Sequence, residues 1–381
     1  MKKKYIIFFI VTLVLLVALI TSFNYFKTTN AYIDDSVNNQ TKITKGISMN
    51  LEQTAGAGDY KTVTRSSWPT EGYKFNAELS RCENGSTLSW DDTKKAVIVS
   101  GNLSDKCYVY FDIYQPTLAE YIKSQYTGTQ GENSLYYHNS SLTNGAGDNS
   151  YRYAGASDSV NNYICLGSDE ATCPDANLFR IIGVFGDKTK VIRAKSVGNQ
   201  KWHTSESNTW SSSSLNAYLN GTYLTSLGTI AEKIATTTWK VGGCSWSNIE
   251  TSVPKIVYKN EVGSSASTTT VDKKIGLMYI SDYYYSASPS AWTLVGYNKS
   301  DATKDYSAAK TINWLYLGSK EWTISRVSDE TFSAFIVDGS GHVFSYNVNF
   351  SNFAVRPSFN LDSTVTYVSG DGTKSNPIRI N

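Results

Sequence analysis

Nineteen residues without a charge, Tyr5 to Phe23, follow directly on Lys2, Lys3 and Lys4. At 1.5 Å per residue a helix of that length crosses a hydrocarbon core of about 30 Å. Lysines ahead of such a run stay on the cytoplasmic side. The expectation is a cytoplasmic tail at 1–4, a single-pass transmembrane signal anchor at 5–23 in the cell membrane, and everything beyond it extracellular. The competing reading is a cleaved signal peptide, whose apolar region runs to about 7–15 residues and ends in a small-x-small site. Here the exit reads Ile20-Thr21-Ser22-Phe23-Asn24-Tyr25-Phe26, which is bulky. Both readings export the remainder, and the membrane is the partner of 5–23.

Charged residues make up 18% of the chain, against about 25% in an average globular protein. Ser, Thr, Asn, Gly and 27 Tyr take their place, a composition that suits a β-rich surface kept soluble by hydroxyls and amides. Without the three leading lysines, 32 Lys and Arg face 33 Asp and Glu. No basic stripe marks a nucleic-acid partner. Five cysteines in an exported chain permit disulfides. Nearness pairs Cys82 with Cys107 and Cys165 with Cys173, although spacing alone does not fix connectivity; Cys244 is left over. Without a C-x-x-C and with three histidines, His138, His203 and His342, the chain carries no zinc signature, and no metal or cofactor is expected.

Residues 24–60 are polar and poorly patterned and read as a flexible stalk. Residues 61–115 read as a small β module, with strand-forming runs at Ala96-Val97-Ile98-Val99 and Cys107-Tyr108-Val109-Tyr110-Phe111. The main domain, 116–381, opens on Thr117-Leu118-Ala119-Glu120, a capping box in which the Thr hydroxyl and Glu carboxylate satisfy each other's backbone N–H groups. Further helices are expected around 212–220 and 227–236. Strands are expected at 178–185 and 190–194, and at 331–337 and 342–346 around an Asp338-Gly339-Ser340-Gly341 hairpin turn.

Several stretches resemble a group of uncharacterised exported proteins of Gram-positive gut-type bacteria over roughly 116–381. They are Asp148-Asn149-Ser150-Tyr151-Arg152-Tyr153-Ala154-Gly155-Ala156, Asn161-Asn162-Tyr163-Ile164-Cys165, Asn177 to Phe185, Gly276 to Tyr283, Glu321-Trp322-Thr323-Ile324-Ser325 and Val355-Arg356-Pro357-Ser358-Phe359. The order of elements also resembles the C-type-lectin-like fold of formylglycine-generating enzymes, with Val355-Arg356-Pro357 in the place of their closing strand. That resemblance implies an α+β fold: two or three short helices, a twisted antiparallel sheet and long loops, preceded by the disulfide-bonded β module and the transmembrane helix. Formylglycine-type oxidation needs paired reactive cysteines late in the domain. The last cysteine here is Cys244, so the oxidase activity does not carry over.

The remaining constellations are weak for catalysis. Cys244 needs a base to become a nucleophile, and only His203 or His342 is on offer. The Asp338–Gly341 run has too few oxygens for calcium and reads as a turn. Arg356 reads as one half of an ion pair that pins loops. Aromatic residues carry the best functional hint, because rings stack on sugar faces. Trp314 and Trp322 sit in apolar segments and read as core. In Tyr283-Tyr284-Tyr285, strand alternation would turn the middle ring opposite its neighbours. Trp246, Trp292 and Tyr284 are therefore the candidate ligand-binding residues. The functional expectation is a non-catalytic, membrane-anchored surface binding or adhesion protein with a glycan or protein ligand. A structural or assembly role in the envelope is the alternative, ahead of an unrecognised enzyme.

Overall fold

The computed structural model describes residues 46–63, 72–102, 105–350 and 352–381. The expected anchor at 5–23 lies outside them. Among the described residues no helix is long and apolar enough to cross a membrane. The single-pass anchor, and the membrane localisation built on it, therefore has no support in the structure. Strands account for 32% of the described residues and helices for 19%, so the expected α+β class is corrected to a mostly β one. The physical reason lies in the Thr-, Tyr- and Val-rich segments, which pack well on a pleated surface. They leave room only for short helices, such as the 8 residues of Pro254–Glu261.

The chain divides between Gln115 and Pro116 into two compact units. In the first, β1 (Ile47–Glu52), β2 (Tyr60–Val63), β3 (Tyr73–Phe75), β4 (Arg81–Cys82) and β7 (Cys107–Ile113) form a five-stranded sheet; β5 (Thr87–Asp91) and β6 (Ala96–Ser100) form a separate hairpin. Strand β1 and the start of β2 fall in the segment expected to be a stalk, so that expectation is corrected: the alternation Ile47, Met49, Leu51 gives β1 one apolar face. It pairs parallel with β7, Met49 opposite Val109 and Leu51 opposite Phe111. These four residues and Val97 make the core. So small a core needs a staple. Cys82 and Cys107 face each other across β4 and β7 and are bonded, with Cα atoms 4.0 Å apart. Closing a loop of that size is worth about 3 kcal/mol.

The second unit starts where Thr117 caps α1 (Leu118–Ser124). The Thr117 hydroxyl accepts from the Glu120 N–H at 3.2 Å and the Glu120 carboxylate accepts from the Thr117 N–H at 2.9 Å. Seven strands build the main sheet: β8 (Leu135–Tyr137), β9 (Tyr151–Tyr153), β10 (Tyr163–Cys165), β11 (Leu178–Phe185), β12 (Lys188–Arg193), β16 (Ile275–Gly276) and β21 (Ser358–Leu361). Their order is β16-β21-β12-β11-β9-β8, with β10 also on β11. Between them in sequence come β13 (Asn199–Gln200), the pair β14 (Thr237–Lys240) and β15 (Thr270–Lys273), then β17 (Glu321–Arg326), β18 (Ser333–Val337), β19 (Val343–Asn347) and β20 (Phe353–Ala354). A second sheet runs β13-β20-β17-β18-β19.

Helices fill the gaps. A helical run from Ser214 to Ser226, α2, is π-helical at Leu219–Tyr223. It is followed by α3 (Trp246–Glu250), α4 (Pro254–Glu261) and α5 (Ile280–Tyr285). The last corrects a strand reading. Tyr283, Tyr284 and Tyr285 lie on a helix that is buried on every side, because its neighbours supply partners all round. Tyr283 donates to Gly341 O at 3.0 Å, Tyr285 to Asn144 O at 3.2 Å, and the Tyr284 ring stacks 4.2 Å from Tyr306.

Candidate functional site

Two of the three expected ligand-binding rings are withdrawn by burial. Tyr284 and Trp292 each expose 0% of their surface. The Trp292 indole donates to Ala287 O at 2.9 Å and is packed by Tyr136, His138 and Tyr285. Trp246 is half-buried on α3, stacked on Phe335 and edge-on to Phe344.

Cys165 and Cys173 are bonded, with Cα atoms 5.9 Å apart. Cys244 is free and buried, and burial pushes its thiol pKa up, away from thiolate. His342 instead lies between Asp305, at 3.1 Å, and Asp338, at 3.4 Å. Arg356 grips Glu321 with two bonds, 2.6 and 2.7 Å long, deep in the second unit. Among the described residues no group of three His, Cys, Asp or Glu is placed to hold a metal ion.

What the sequence reading missed is a cavity of about 260 Å³ where β9, β12, β14, α4 and α5 meet. Its floor carries four charged side chains. Lys190 Nζ lies 2.5 Å from Asp282 Oδ2. The Arg152 guanidinium donates to Asp148 Oδ2 at 2.7 Å and to Ser150 Oγ at 2.8 Å, and its NH1 lies 3.9 Å from Asp282 Oδ1. Lys190, Arg152 and Asp282 are nearly sealed, at 5%, 2% and 3% exposure. Aromatic rings form the walls: Trp239, Phe185, Tyr258 and Tyr279. The Lys190 ammonium sits 4.5 Å from the centre of Tyr279 and 5.4 Å from that of Trp239. The guanidinium lies 4.6 Å from Phe185 and 5.3 Å from Tyr258. Thr237, Thr238, Lys240 and Asn360 also line the cavity, and Thr238 is exposed.

Two glycines make this arrangement possible. The β11–β12 register slips between Ile181 and Gly183, and Gly183 pairs with Arg152 on β9. A Cβ on Gly183 would stand 2.2 Å from Tyr151 O. A Cβ on Gly276 would stand 2.9 Å from the Trp239 ring, whose Nε1 is anchored on Lys273 O at 3.0 Å. The acid of α5 has two tasks: Asp282 Oδ2 accepts the Tyr279 N–H at 2.8 Å, capping the helix, as well as the Lys190 bond.

Burial lowers the pKa of Lys190, against the pull of Asp282. For Asp148, burial alone would raise the pKa. The Arg152 charge and the bonds from Ser150 and Arg152 outweigh it and hold the carboxyl well below the usual range. Tyr258 is raised by burial and by Asp148. Behind the floor, Glu261 is fully engaged by the Ile280 and Ser281 N–H groups, both at 2.9 Å, and the Ser325 hydroxyl; burial raises its pKa. Buried pairs of this kind contribute little net stability against desolvation, and breaking one partner costs several kcal/mol.

Residues 186–363 match a family model described as a domain of unknown function, DUF6273. The match takes in Lys190, Trp239, Tyr258, Tyr279, Asp282 and Asn360. Asp148, Arg152 and Phe185 lie ahead of it. No curated protein matches the chain, and no solved structure does.

Proposed function

We propose that this chain is a non-catalytic binding protein and that its ligand, a glycan, docks in the aromatic-walled cavity over Lys190, Arg152 and Asp282. The carrying observation is the conjunction of ring walls with a floor of fixed hydrogen-bonding groups, which is the usual constitution of a small-ligand site. Rings supply apolar area for the faces of a sugar, and polar groups fix its orientation. The non-catalytic part of the reading rests on occupied chemistry. Lys190 is tied to Asp282, Asp148 to Arg152, and burial together with the Glu261 charge holds the Cys244 thiol in its protonated form. Two disulfides fit a protein that works in an oxidising compartment.

The test uses the full chain with both disulfides formed, applied to a broad glycan array beside a Thr238→Trp variant. Thr238 is exposed and lines the cavity, so an indole there fills the space without disturbing the core. Binding that disappears in the variant, with an unchanged circular dichroism spectrum, supports the assignment. If every glycan signal survives the plug, the cavity is not the site.

A further inference from the structure

The floor of the cavity shows which hydrogen bonds remain to be made. Most of its polar atoms are spent within the chain. Asp148 Oδ1 takes the Ser150 N–H at 3.1 Å and the Ser150 hydroxyl at 2.6 Å, and its Oδ2 takes Arg152. Asp282 Oδ2 takes Lys190 and the Tyr279 N–H. Lys240 Nζ is turned to Gly263 O at 3.3 Å. Two atoms face each other across a gap: the donor Arg152 NH1 and the acceptor Asp282 Oδ1, both on nearly sealed residues lining the cavity, 3.9 Å apart. That separation is too long for a direct bond.

It suits one oxygen placed between them. An oxygen about 2.8 Å from each atom subtends close to a right angle. It must accept from the guanidinium and donate to the carboxylate, which a hydroxyl does and a carboxylate, sulfate or phosphate does not. Charge points the same way. Lys190 and Arg152 are matched by Asp148 and Asp282, so an acid group at the bridge would face Asp282 Oδ1; Lys240, whose Nζ meets only the Gly263 carbonyl, adds its positive charge elsewhere on the lining. Size adds a limit: about 260 Å³ lies at the low end of small-ligand sites, room for one sugar ring.

Resting on the glycan reading above, we infer that the cavity takes a single neutral sugar ring, one of whose hydroxyls bridges Arg152 NH1 and Asp282 Oδ1. The ring lies against the aromatic walls, and acidic sugars are rejected.

The experiment is calorimetric titration of the full chain with methyl glycosides of glucose, galactose and mannose, with glucuronic and galacturonic acids, and with monodeoxy forms of whichever neutral glycoside binds. The expected result is one neutral glycoside that binds and at least one of its deoxy forms weakened roughly a hundredfold, because the buried pair is then left unmet. The matching acid should bind far more weakly, and binding should change little with salt. A uronic acid that binds as tightly as its neutral counterpart overturns the inference; if Thr238→Trp abolishes that binding, the cavity reading survives. Absence of binding by every glycoside at millimolar concentration also overturns it, while the glycan array continues to decide the broader assignment.

Discussion

Asp148 is a residue whose charge the fold has already paid to keep. Its carboxyl is held well below its ordinary value by Arg152 and Ser150, against the opposing pull of burial. The folded-state pKa is thus depressed relative to about 3.9 in an unfolded chain. The stability this contributes is present in full above the unfolded pKa and is lost as pH falls towards the folded one. Urea unfolding midpoints should therefore drop between about pH 4 and pH 2 in the wild type, and less steeply in Asp148→Asn. Parallel curves for the two proteins would show that the pair makes no such contribution. The same residues show the limit of reading side chains from sequence. Lys190 opens an expected strand with nothing local to mark it as buried, and the meeting of β12 with α5 buries it. Tyr284 and Trp292 reveal their aromatic character in the sequence but not their partners, and partners decided that both are core. Arg152 stood inside a quoted motif without a role, since nothing local announces that three rings surround its guanidinium.

Elements fixed by short-range chemistry were legible. The Thr117–Glu120 box starts α1, and the Asp338–Gly341 turn joins β18 to β19 through Asp338 Oδ1, which accepts the Ser340 and His342 N–H groups. Helix α5 was not legible: Ile280 and three tyrosines favour strands, and its cap depends on Asp282, which the floor also holds. Strand β9 owes its position to a missing side chain in β11. Gly183→Ala places a methyl against the Tyr151 carbonyl, 2.2 Å away before relaxation, and backbone cannot step aside as a flexible side chain can. A loss of about 1–3 kcal/mol is expected, read as a lower denaturation midpoint, together with weaker glycan binding because Arg152 sits on the displaced strand. A variant as stable as the wild type would mean that the register slip is freely adjustable.

For the whole molecule, the two units differ in how they are held. The second has an extensive continuous core, whereas the first rests on five buried apolar residues and the Cys82–Cys107 bond. Reduction should therefore separate them. Calorimetry in a strong reductant is expected to show an early transition from the first unit, lost by about 3 kcal/mol of cross-link stabilisation, with the main transition nearly unmoved. The eight-residue separation of Cys165 and Cys173 ties a surface loop and should matter less to the core. A single transition that shifts as one would contradict this division. The Thr117–Glu120 capping box, a short-range feature, opens α1 directly after Pro116. Sequence reading placed β1 in a stalk, because β1 pairs with β7, more than fifty residues away, and no local pattern records that partner.

The cavity draws its parts from both sides of the DUF6273 boundary at residue 186. The ring walls, apart from Phe185, come from within the matched stretch, as do Lys190 and Asp282; the guanidinium and its Asp148 come from ahead of it. A relative that inherits only the matched stretch would keep the bowl and lose one of the two atoms that grip the bridging oxygen. On the proposed reading, a change of ligand would fall to the residues around Asp148 and Arg152, ahead of the matched stretch, with the walls of the cavity kept.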